Sequence, residues 1–456
     1  MNQTFSLKER IKQIIILLVP ILITQLSMFS MVFFNTIMSG KYNSSALAGV
    51  AIGASIWNPV FTGLSGILLA VSPIVAQRYG EGKKKEVATV VTHGILLGFV
   101  IALVVIVFGA LFLNPILHLM NLPKAVQATA YKYLVGLGFG IIPLFIFNVL
   151  RSFIYGLGKT RVVMVILLIS LPINFFLNYV LIFGKLGFPE LGGGGAGFAT
   201  SVTYWIITLM TAYIIHAQRP FSKYRIFVNL KRFSFEPCKE ILKIGVPMGL
   251  STFFETSMFA IVTLLISQYN VATIASYQSA LNIVSFLYMI PLSVSMAQTV
   301  LVGYEVGANR LKDAKSYSWL GMYLSVFIAL FAGGFVVLFR HEVAGFYSNE
   351  PAVIQLTAHF LIYALFFHIS DAIQVTAQAA LRGYKDVNIA FIMTLIAYWI
   401  ICLPFGYFLA HVFHLGAKGF WIGLTIGLLA AGIGLSMRLL YIQRVKFIPA
   451  QVREVG

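Results

Sequence analysis

Long apolar runs constrain the fold of this chain more than any other feature of its sequence. Twelve of them are separated by charged or Gly- and Pro-rich segments, and each has about the 20 residues that a helix needs to cross a bilayer. Backbone polar groups in lipid must be satisfied within their own segment, so we expect an all-α polytopic membrane protein of twelve transmembrane helices. The predicted spans are 13–38, 46–72, 88–114, 129–153, 162–183, 195–216, 241–268, 274–300, 316–339, 353–380, 388–411 and 419–441.

The basic residues are distributed unevenly between the two sides of these spans. The net charge is +18, which by itself would also suit a nucleic-acid-binding protein. However, 26 of the 32 Lys and Arg residues fall on one side of the predicted spans, and such an excess marks the cytoplasmic side. We therefore expect a multi-pass protein of the plasma membrane with both termini in the cytoplasm, in contact with membrane lipid and not with nucleic acid.

The second half of the sequence repeats landmarks of the first. When the two halves are aligned without a gap so that Pro20 falls on Pro247, Gly80 falls on Gly307. Six spans separate the copies, and since six is an even number, both copies enter the membrane from the same side. The repeat predicts two six-helix lobes related by a pseudo-two-fold axis along the membrane normal, an arrangement known in transporters that bind substrate near the midplane and work by alternating access.

The repeat also sets the expected domain organisation. The predicted N-lobe covers 1–216 and the predicted C-lobe covers 241–456. Between them, segment 217–240 is basic and carries two prolines, so we interpret it as a cytoplasmic linker.

Two acidic residues lie deep within predicted spans. Glu255 is in span 7 and Asp371 is in span 10, whereas the other twelve acids are in loops, tails or span ends. A carboxylate at the bilayer centre costs roughly 2.5–3.5 kcal/mol on insertion scales, so it usually faces a watery cavity or a partner. We expect no Lys or Arg at depth beside either acid. The alternative interpretation is a protonated carboxyl group with a purely structural role.

Polar side chains recur at helical spacing around both acids and in span 8. One such stripe can simply hold helices together, but three in the same half favour the wall of a pocket. The stripes comprise His368, Asp371, Gln374 and Gln378; Ser251, Thr252, Glu255 and Phe259; and Gln278, Asn282, Ser285 and Tyr288. His368 is close enough in the helix to tune Asp371.

Such a pocket favours lipophilic, often aromatic, cations as small-molecule substrates. The faces of Phe259 and Tyr288 offer cation–π attraction of roughly 0.5–2 kcal/mol. Desolvated carboxyls can exchange a proton, a Na⁺ ion and a cationic ligand against one another. Glu255 and Asp371 supply oxygen ligands for a hard metal ion, and the predicted coupling ion is Na⁺ or H⁺, with Na⁺ favoured.

Several of these features, taken in order, resemble the multidrug and toxic compound extrusion (MATE) family, specifically its NorM-like branch. They are the AQRYGEG loop at 76–82, the Val-Pro pair two turns before Glu255, and Asp371 followed by the RGYKD loop. The resemblance covers essentially the whole chain. It implies an efflux antiporter that exchanges cationic drugs for Na⁺ or H⁺, with Glu255 and Asp371 as cation-binding acids and with Phe259 and Tyr288 beside them.

The N-lobe departs from the family pattern. Many relatives carry Asp where this chain has Asn35, and some carry another where it has Asn178. Asn174 and Thr200 could join these two in a polar N-lobe pocket, but none of the four side chains titrates. We therefore expect ion and drug coupling to run through the C-lobe.

Three other functions fit the sequence less well. A lipid-linked oligosaccharide flippase would need buried Arg or Lys for a pyrophosphate, and the sequence predicts none at depth. An intramembrane enzyme would need a nucleophile–base pair or a set of metal ligands, and we expect neither an enzyme nor a cofactor. A passive channel is harder to exclude. We expect the protein to act as a monomer.

Overall fold

The computed structural model describes residues 3–120, 122–227 and 234–453. Within these ranges the fold is almost entirely helical and contains no strand. The helices of the first half are α1 (Leu7–Tyr42), α2 (Ser44–Leu69), α3 (Val71–Gly80), α4 (Lys84–Leu119), α5 (Lys124–Gly138), α6 (Ile141–Gly156), α7 (Thr160–Phe183) and α8 (Gly193–Ala217). A short 3₁₀ helix, Phe221–Tyr224, follows them.

The second half repeats the pattern of long helices. Its members are α9 (Phe235–Ile266), α10 (Val271–Gly307), α11 (Leu311–Leu338), α12 (Arg340–Gly345), α13 (Pro351–Gly383), α14 (Val387–Leu395), α15 (Leu403–His411) and α16 (Ala417–Arg453). A π-helical segment, Ile396–Cys402, joins α14 to α15 within one span.

The all-α membrane fold predicted from the sequence is confirmed. Eleven helices in the described ranges are long and apolar enough to cross a membrane, and the bent pair α5–α6 makes the twelfth span. The helices mostly begin a few residues before, and end a few residues after, the apolar runs. Polar residues at the helix ends therefore extend the helices beyond the apolar runs, where hydropathy no longer marks them.

The chain divides into two compact units. The N-unit is Ile23–Gly249, and the C-unit combines Met1–Leu22 with Leu250–Gly456. Both boundaries fall inside a helix, α1 in one case and α9 in the other, and they occupy equivalent positions of the repeat. Segment 217–240, predicted as a linker, falls within the N-unit, and its residues 228–233 lie outside the described ranges.

Equivalent residues begin the second helix of each repeat. The side chain of Asn43 accepts a hydrogen bond from the backbone N–H of Ala46 at 2.7 Å, and that of Asn270 accepts one from Thr273 at 2.8 Å. Each Asn precedes its helix and satisfies one of the N–H groups that have no partner within it. The gapless alignment that pairs Pro20 with Pro247 also pairs Asn43 with Asn270, so the repeat extends to helix capping.

Thr4 and the N-terminal part of α1 are anchored in the C-unit by α11. The Arg10 Nη2 atom lies 2.6 Å from Asp313 Oδ1. The Tyr317 hydroxyl donates to Gln13 Oε1 at 2.8 Å and lies 2.9 Å from Thr4 Oγ1. These polar contacts hold the N-terminal part of α1 against α11 within the C-unit.

The bend between α5 and α6 is supported by α8. The two helices meet at 51°, and backbone groups near the break bond to side chains instead of to the next turn. Trp205 Nε1 donates to the carbonyl of Phe139 at 3.0 Å, and the Ser201 hydroxyl donates to the carbonyl of Gly136. A bend inside a span is tolerated where neighbouring helices satisfy the freed backbone groups in this way.

The π-helical segment in span 11 has a local cause. Pro404 is the second residue of the following helix, and a proline supplies no N–H to the carbonyl four residues earlier. The π-helical residues, Ile396–Cys402, lie directly before this helix. Within this segment, Trp399 Nε1 donates to the carbonyl of Phe254 at 3.3 Å, which ties span 11 to α9.

Candidate functional site

A cavity in the C-unit brings both deep acids together. It has a volume of about 230 Å³ and is walled by side chains from three helices, α9, α10 and α13. The lining residues are Glu255, Thr256, Phe259, Leu281, Val284, Ser285, Tyr288, Phe367 and Asp371. Helices α10 and α13 pack against each other extensively, which fixes two of the three walls.

The two carboxylates carry the charge of this cavity. Asp371 is 3% exposed and Glu255 is partly exposed. They interact electrostatically with each other, and within the described ranges neither accepts a hydrogen bond or lies in an ion pair. Because burying an unpaired carboxylate is costly, both groups are left with oxygens for which a bound cation is the natural partner.

The other polar atoms on the wall are also oxygens. Ser285 and Thr256 donate their hydroxyl protons to backbone carbonyls of their own helices, which leaves oxygen lone pairs available. Among the described residues, no group of three or more His, Cys, Asp or Glu side chains could hold a metal ion. The cavity thus offers an oxygen-only set suited to a hard cation, without the dense carboxylate or imidazole cluster of a structural metal centre.

Aromatic rings form the apolar side of the cavity. Phe259 and Phe367 pack edge to face, with centroids 6.0 Å apart and planes at 70°. Tyr288 lines the same space and interacts electrostatically with both acids. Ring faces beside carboxylates suit an organic cation better than an anion.

No Lys or Arg was expected at depth to pair with either acid, and neither acid lies in an ion pair within the described ranges. However, α13 continues to Gly383, so a basic residue, Arg382, lies in the last turn of the helix that carries Asp371. The Arg382 guanidinium donates to Gln378 Oε1 at 2.9 Å and interacts electrostatically with Glu255 and Tyr288. The sequence could have revealed that Asp371, Gln378 and Arg382 share a helix face, because they are seven and then four residues apart. The hydropathy pattern does not reveal this face, because predicted span 10 ends at residue 380, before Arg382.

Four other predicted site residues are not on the cavity wall. Gln278 and Asn282 are exposed on α10, 3.5 Å apart between Nε2 and Oδ1. His368 and Gln374 are each 1% exposed, and their polar side-chain atoms have no hydrogen-bond partner among the described residues. His368 therefore makes no hydrogen bond to Asp371, the acid that it was expected to tune.

The four predicted N-lobe residues form one buried hydrogen-bonded network in the N-unit. Asn178 Nδ2 donates to Asn35 Oδ1 at 2.7 Å and lies 3.1 Å from Asn174 Oδ1. Asn35 Nδ2 donates to Thr200 Oγ1 at 2.9 Å, and Asn174 Nδ2 to Thr203 Oγ1 at 3.1 Å. All five side chains are at most 7% exposed, and they join α1, α7 and α8.

A second basic residue is also deeper than the sequence suggested. Arg151 is one of the 26 basic residues that mark the cytoplasmic side, but it is 5% exposed within α6, Ile141–Gly156. The argument against a flippase was that the spans contain no Arg or Lys at depth, and the buried Arg151 in the second helix of the bent span weakens that argument. The signal was available, because predicted span 4 already contained position 151.

Comparison with known proteins identifies close relatives. A family model described as MatE matches residues 20–180 and 247–408, so its two matched segments begin at the equivalent prolines of the repeat. The chain is 51% identical to a protein of Oceanobacillus iheyensis and 50% identical to one of Bacillus subtilis, each named "Probable multidrug resistance protein NorM". Each alignment covers 97% of this chain, with 99% and 98% of the respective relative.

Solved structures share the fold at lower sequence identity. A eukaryotic MATE transporter, AtDTX14, superposes with a TM-score of 0.86 at 22% identity, covering 95% of this chain and 96% of the other. An outward-facing multidrug resistance MATE family transporter of the MOP superfamily gives 0.85 at 22% identity, covering 94% and 96%. At this identity the likeness establishes the two-lobe fold alone.

Proposed function

The chain belongs to the MatE family, and on that premise we propose that it is a multidrug efflux transporter that exports organic cations in exchange for Na⁺ or H⁺. The observation that carries this proposal is the 230 Å³ cavity, where two carboxylates without hydrogen-bond partners among the described residues meet aromatic rings. The names of the relatives that are about 50% identical support drug efflux.

Exchange follows from competition for the same oxygens. Glu255 and Asp371 need a positive partner when ionised, and either a coupling ion or a cationic drug can supply it. Occupancy by one cation lowers the affinity for the other, so each ion that enters displaces a drug. Alternating access of the site to the two sides of the membrane then turns this competition into antiport.

Arg382 refines the proposal. Its fixed positive charge near Glu255 offsets part of the negative charge of the carboxylate pair. When both carboxylates are ionised, the two acids and Arg382 together carry a net charge of −1, which suits a monovalent cation. We therefore propose Na⁺, with H⁺ as the alternative, as the coupling ion, and a singly charged organic cation as the typical substrate.

The first test measures efflux in cells. Cells loaded with ethidium should expel it only while an inward Na⁺ or H⁺ gradient is maintained. Collapsing both gradients with ionophores should stop efflux, while collapsing one should identify the coupling ion. Equal ethidium loss with no gradient would instead indicate a passive channel.

The charge distribution predicts the topology of the transporter. Both termini and segment 217–240 should be cytoplasmic, because the basic loops lie on that side. In Lys185→Cys, a thiol in the exposed 185–190 loop should react with an impermeant reagent added to intact cells. Native Cys238 should react only after the cells are permeabilised. The reverse pattern would contradict the topology.

The charge of the cavity predicts substrate selectivity. Purified protein should bind cationic aromatic dyes and should not bind anionic dyes of similar size, as measured by fluorescence titration. Asp371→Asn should weaken binding of the cationic dyes, because it removes one of the two charges that attract them. Equal binding of both classes by the unmodified protein would show that electrostatics do not select the substrate.

A further inference from the structure

Arg151 is a buried cation without an acidic partner among the described residues. Its side chain is 5% exposed and contacts three neutral side chains of the N-unit, Asn148, Met28 and Phe147. The Nη2 atom donates to Asn148 Oδ1 at 2.9 Å, and Nη1 lies 3.4 Å from the Met28 sulfur. The guanidinium also lies over the Phe147 ring, 5.8 Å from its centroid. None of these groups neutralises the charge.

The remaining donors of Arg151 are poorly satisfied. Its Nε atom is buried and has no hydrogen-bond partner within the described ranges, and a thioether is only a weak acceptor for Nη1. Tyr155, one turn further along α6, interacts electrostatically with Arg151 but is neutral at physiological pH. Arginine stays protonated in proteins, so it cannot escape the cost of burial by losing its charge. An anion is the partner that this environment lacks.

Met28 provides a movable cover over the guanidinium. It lies on α1, is partly exposed, and has a flexible side chain that changes conformation easily. Displacing its sulfur from Nη1 would free that donor beside the unsatisfied Nε. The Asn148 amide carries two N–H groups. One of them donates to Ser65 Oγ at 3.2 Å, so the other can serve a ligand.

The repeat places different groups at the positions of the C-terminal copy that correspond to Met28 and Arg151. The gapless alignment of the two halves places Met28 on Glu255 and Arg151 on Gln378. In the C-terminal copy an acid occupies the α9 position and a neutral amide occupies the α13 position. In the N-terminal copy, Met28 supplies a neutral thioether at the first of these positions and Arg151 supplies a cation at the second. Each copy thus carries one charge where the other copy has a neutral side chain, and the charge is negative in the C-terminal copy and positive in the N-terminal copy.

We propose that Arg151 and Asn148 form an anion site in the N-unit, between α1 and α6, which takes a small monovalent anion. Such an anion is either free chloride or the carboxylate of a zwitterionic ligand, because a single guanidinium neutralises one negative charge. The site is independent of the cation cavity and does not rest on drug efflux. It gives the buried arginine the partner that its described surroundings do not supply.

Thermal stability of the purified full-length protein tests this proposal. A ligand that binds only the folded state raises the melting temperature as its occupancy increases. Melting is measured while sodium chloride or sodium benzoate replaces sodium isethionate at constant Na⁺ and ionic strength. The variants are Arg151→Gln, Arg151→Lys and, as a matched control, Arg161→Gln, which removes an exposed positive charge from the same unit.

The melting temperature of the unmodified protein and of Arg161→Gln should rise, and then level off, as the concentration of one of the two anions increases. Arg151→Lys should keep part of that rise, and Arg151→Gln should lose it. A response to chloride identifies a halide site, and a response to benzoate alone identifies a carboxylate site. No response to either anion in the unmodified protein, or an undiminished response in Arg151→Gln, would overturn the proposal.

A second measurement does not depend on whether Arg151→Gln folds. Crystals of the unmodified protein soaked in sodium bromide and in sodium 4-bromobenzoate can be examined by anomalous diffraction at the bromine edge. An anomalous peak beside the Arg151 guanidinium in either soak would support the site. Absence of a peak there in both soaks would contradict it.

Discussion

Replacing Glu255 with Gln, or Asp371 with Asn, is expected to reduce gradient-driven dye efflux to the background of cells that lack the protein. Each change keeps the shape of the side chain and removes the charge. The two carboxylates come from different helices and share one cavity, and among the described residues neither has a hydrogen-bond partner. With Arg382 nearby, losing either charge removes the net negative charge that binds a monovalent cation, while the packing stays intact.

Two controls separate this effect from a general loss of expression. Glu342→Gln makes the same chemical change at an exposed position on α12 and should leave efflux unchanged. Asn35→Ala disturbs the buried network of the N-unit and should reduce efflux much less than Asp371→Asn. If Asn35→Ala is as damaging as Asp371→Asn while the protein is still expressed, coupling does not run through the C-unit cavity.

Among the substitutions proposed here, Gly249→Leu is expected to lower the thermal stability of the protein most. Gly249 ends a GxxxG pattern in α9 that begins at Gly245, and both glycines pack against the backbone of α2 within the N-unit. A Cβ atom at Gly249 would overlap the carbonyl oxygen of Gly63, and one at Gly66 would lie 2.6 Å from the Cα of Gly249. Small residues at a helix crossing in a membrane allow backbones to approach this closely.

A leucine there can be accommodated only if the two helices move apart. Overpacking of this kind typically costs about 1–3 kcal/mol, and thermal melting of the purified protein should occur at a lower temperature. The matched control is Gly109→Leu on α4, because a Cβ at Gly109 would have no atom within 4 Å. Equal melting temperatures for the two variants would show that α2 and α9 do not need this close contact.

Much of the fold was predictable because the bilayer imposes a simple rule. A span must be apolar for about 20 residues, so hydropathy located every transmembrane segment. The repeat was equally visible, and the unit boundaries at Leu22 and Gly249 occupy equivalent positions in its two copies. That these boundaries fall inside α1 and α9 was not predictable, since it depends on contacts between segments distant in the sequence.

Local breaks within spans were also missed. Hydropathy does not register the bend at Gly140, because that helix break is stabilised by side chains of α8, which follows only after another complete span. Pro404 was visible inside its span. However, a proline can kink, widen or end a helix, and the sequence does not distinguish these outcomes.

The candidate site was anticipated in its acids and aromatic rings more than in its surroundings. One cavity is lined by Glu255, Asp371, Phe259 and Tyr288. These residues could be predicted because a charged or ring-bearing side chain marks an unusual position in an apolar helix. Arg382 and Arg151 were missed for a shared reason. A basic residue near the end of a span reads as a topology signal, and only the structure shows where its long side chain lies.

The most direct test of the proposed antiport is exchange in proteoliposomes that contain only the purified protein. Vesicles loaded with ethidium are diluted into media that impose an inward Na⁺ gradient, an inward H⁺ gradient or none, and dye release and ²²Na⁺ uptake are recorded together. We expect dye release in step with cation entry, stimulated by one of the two gradients and absent in Asp371→Asn. Dye release at the same rate without any gradient, or undiminished exchange in Asp371→Asn, would contradict antiport through this cavity.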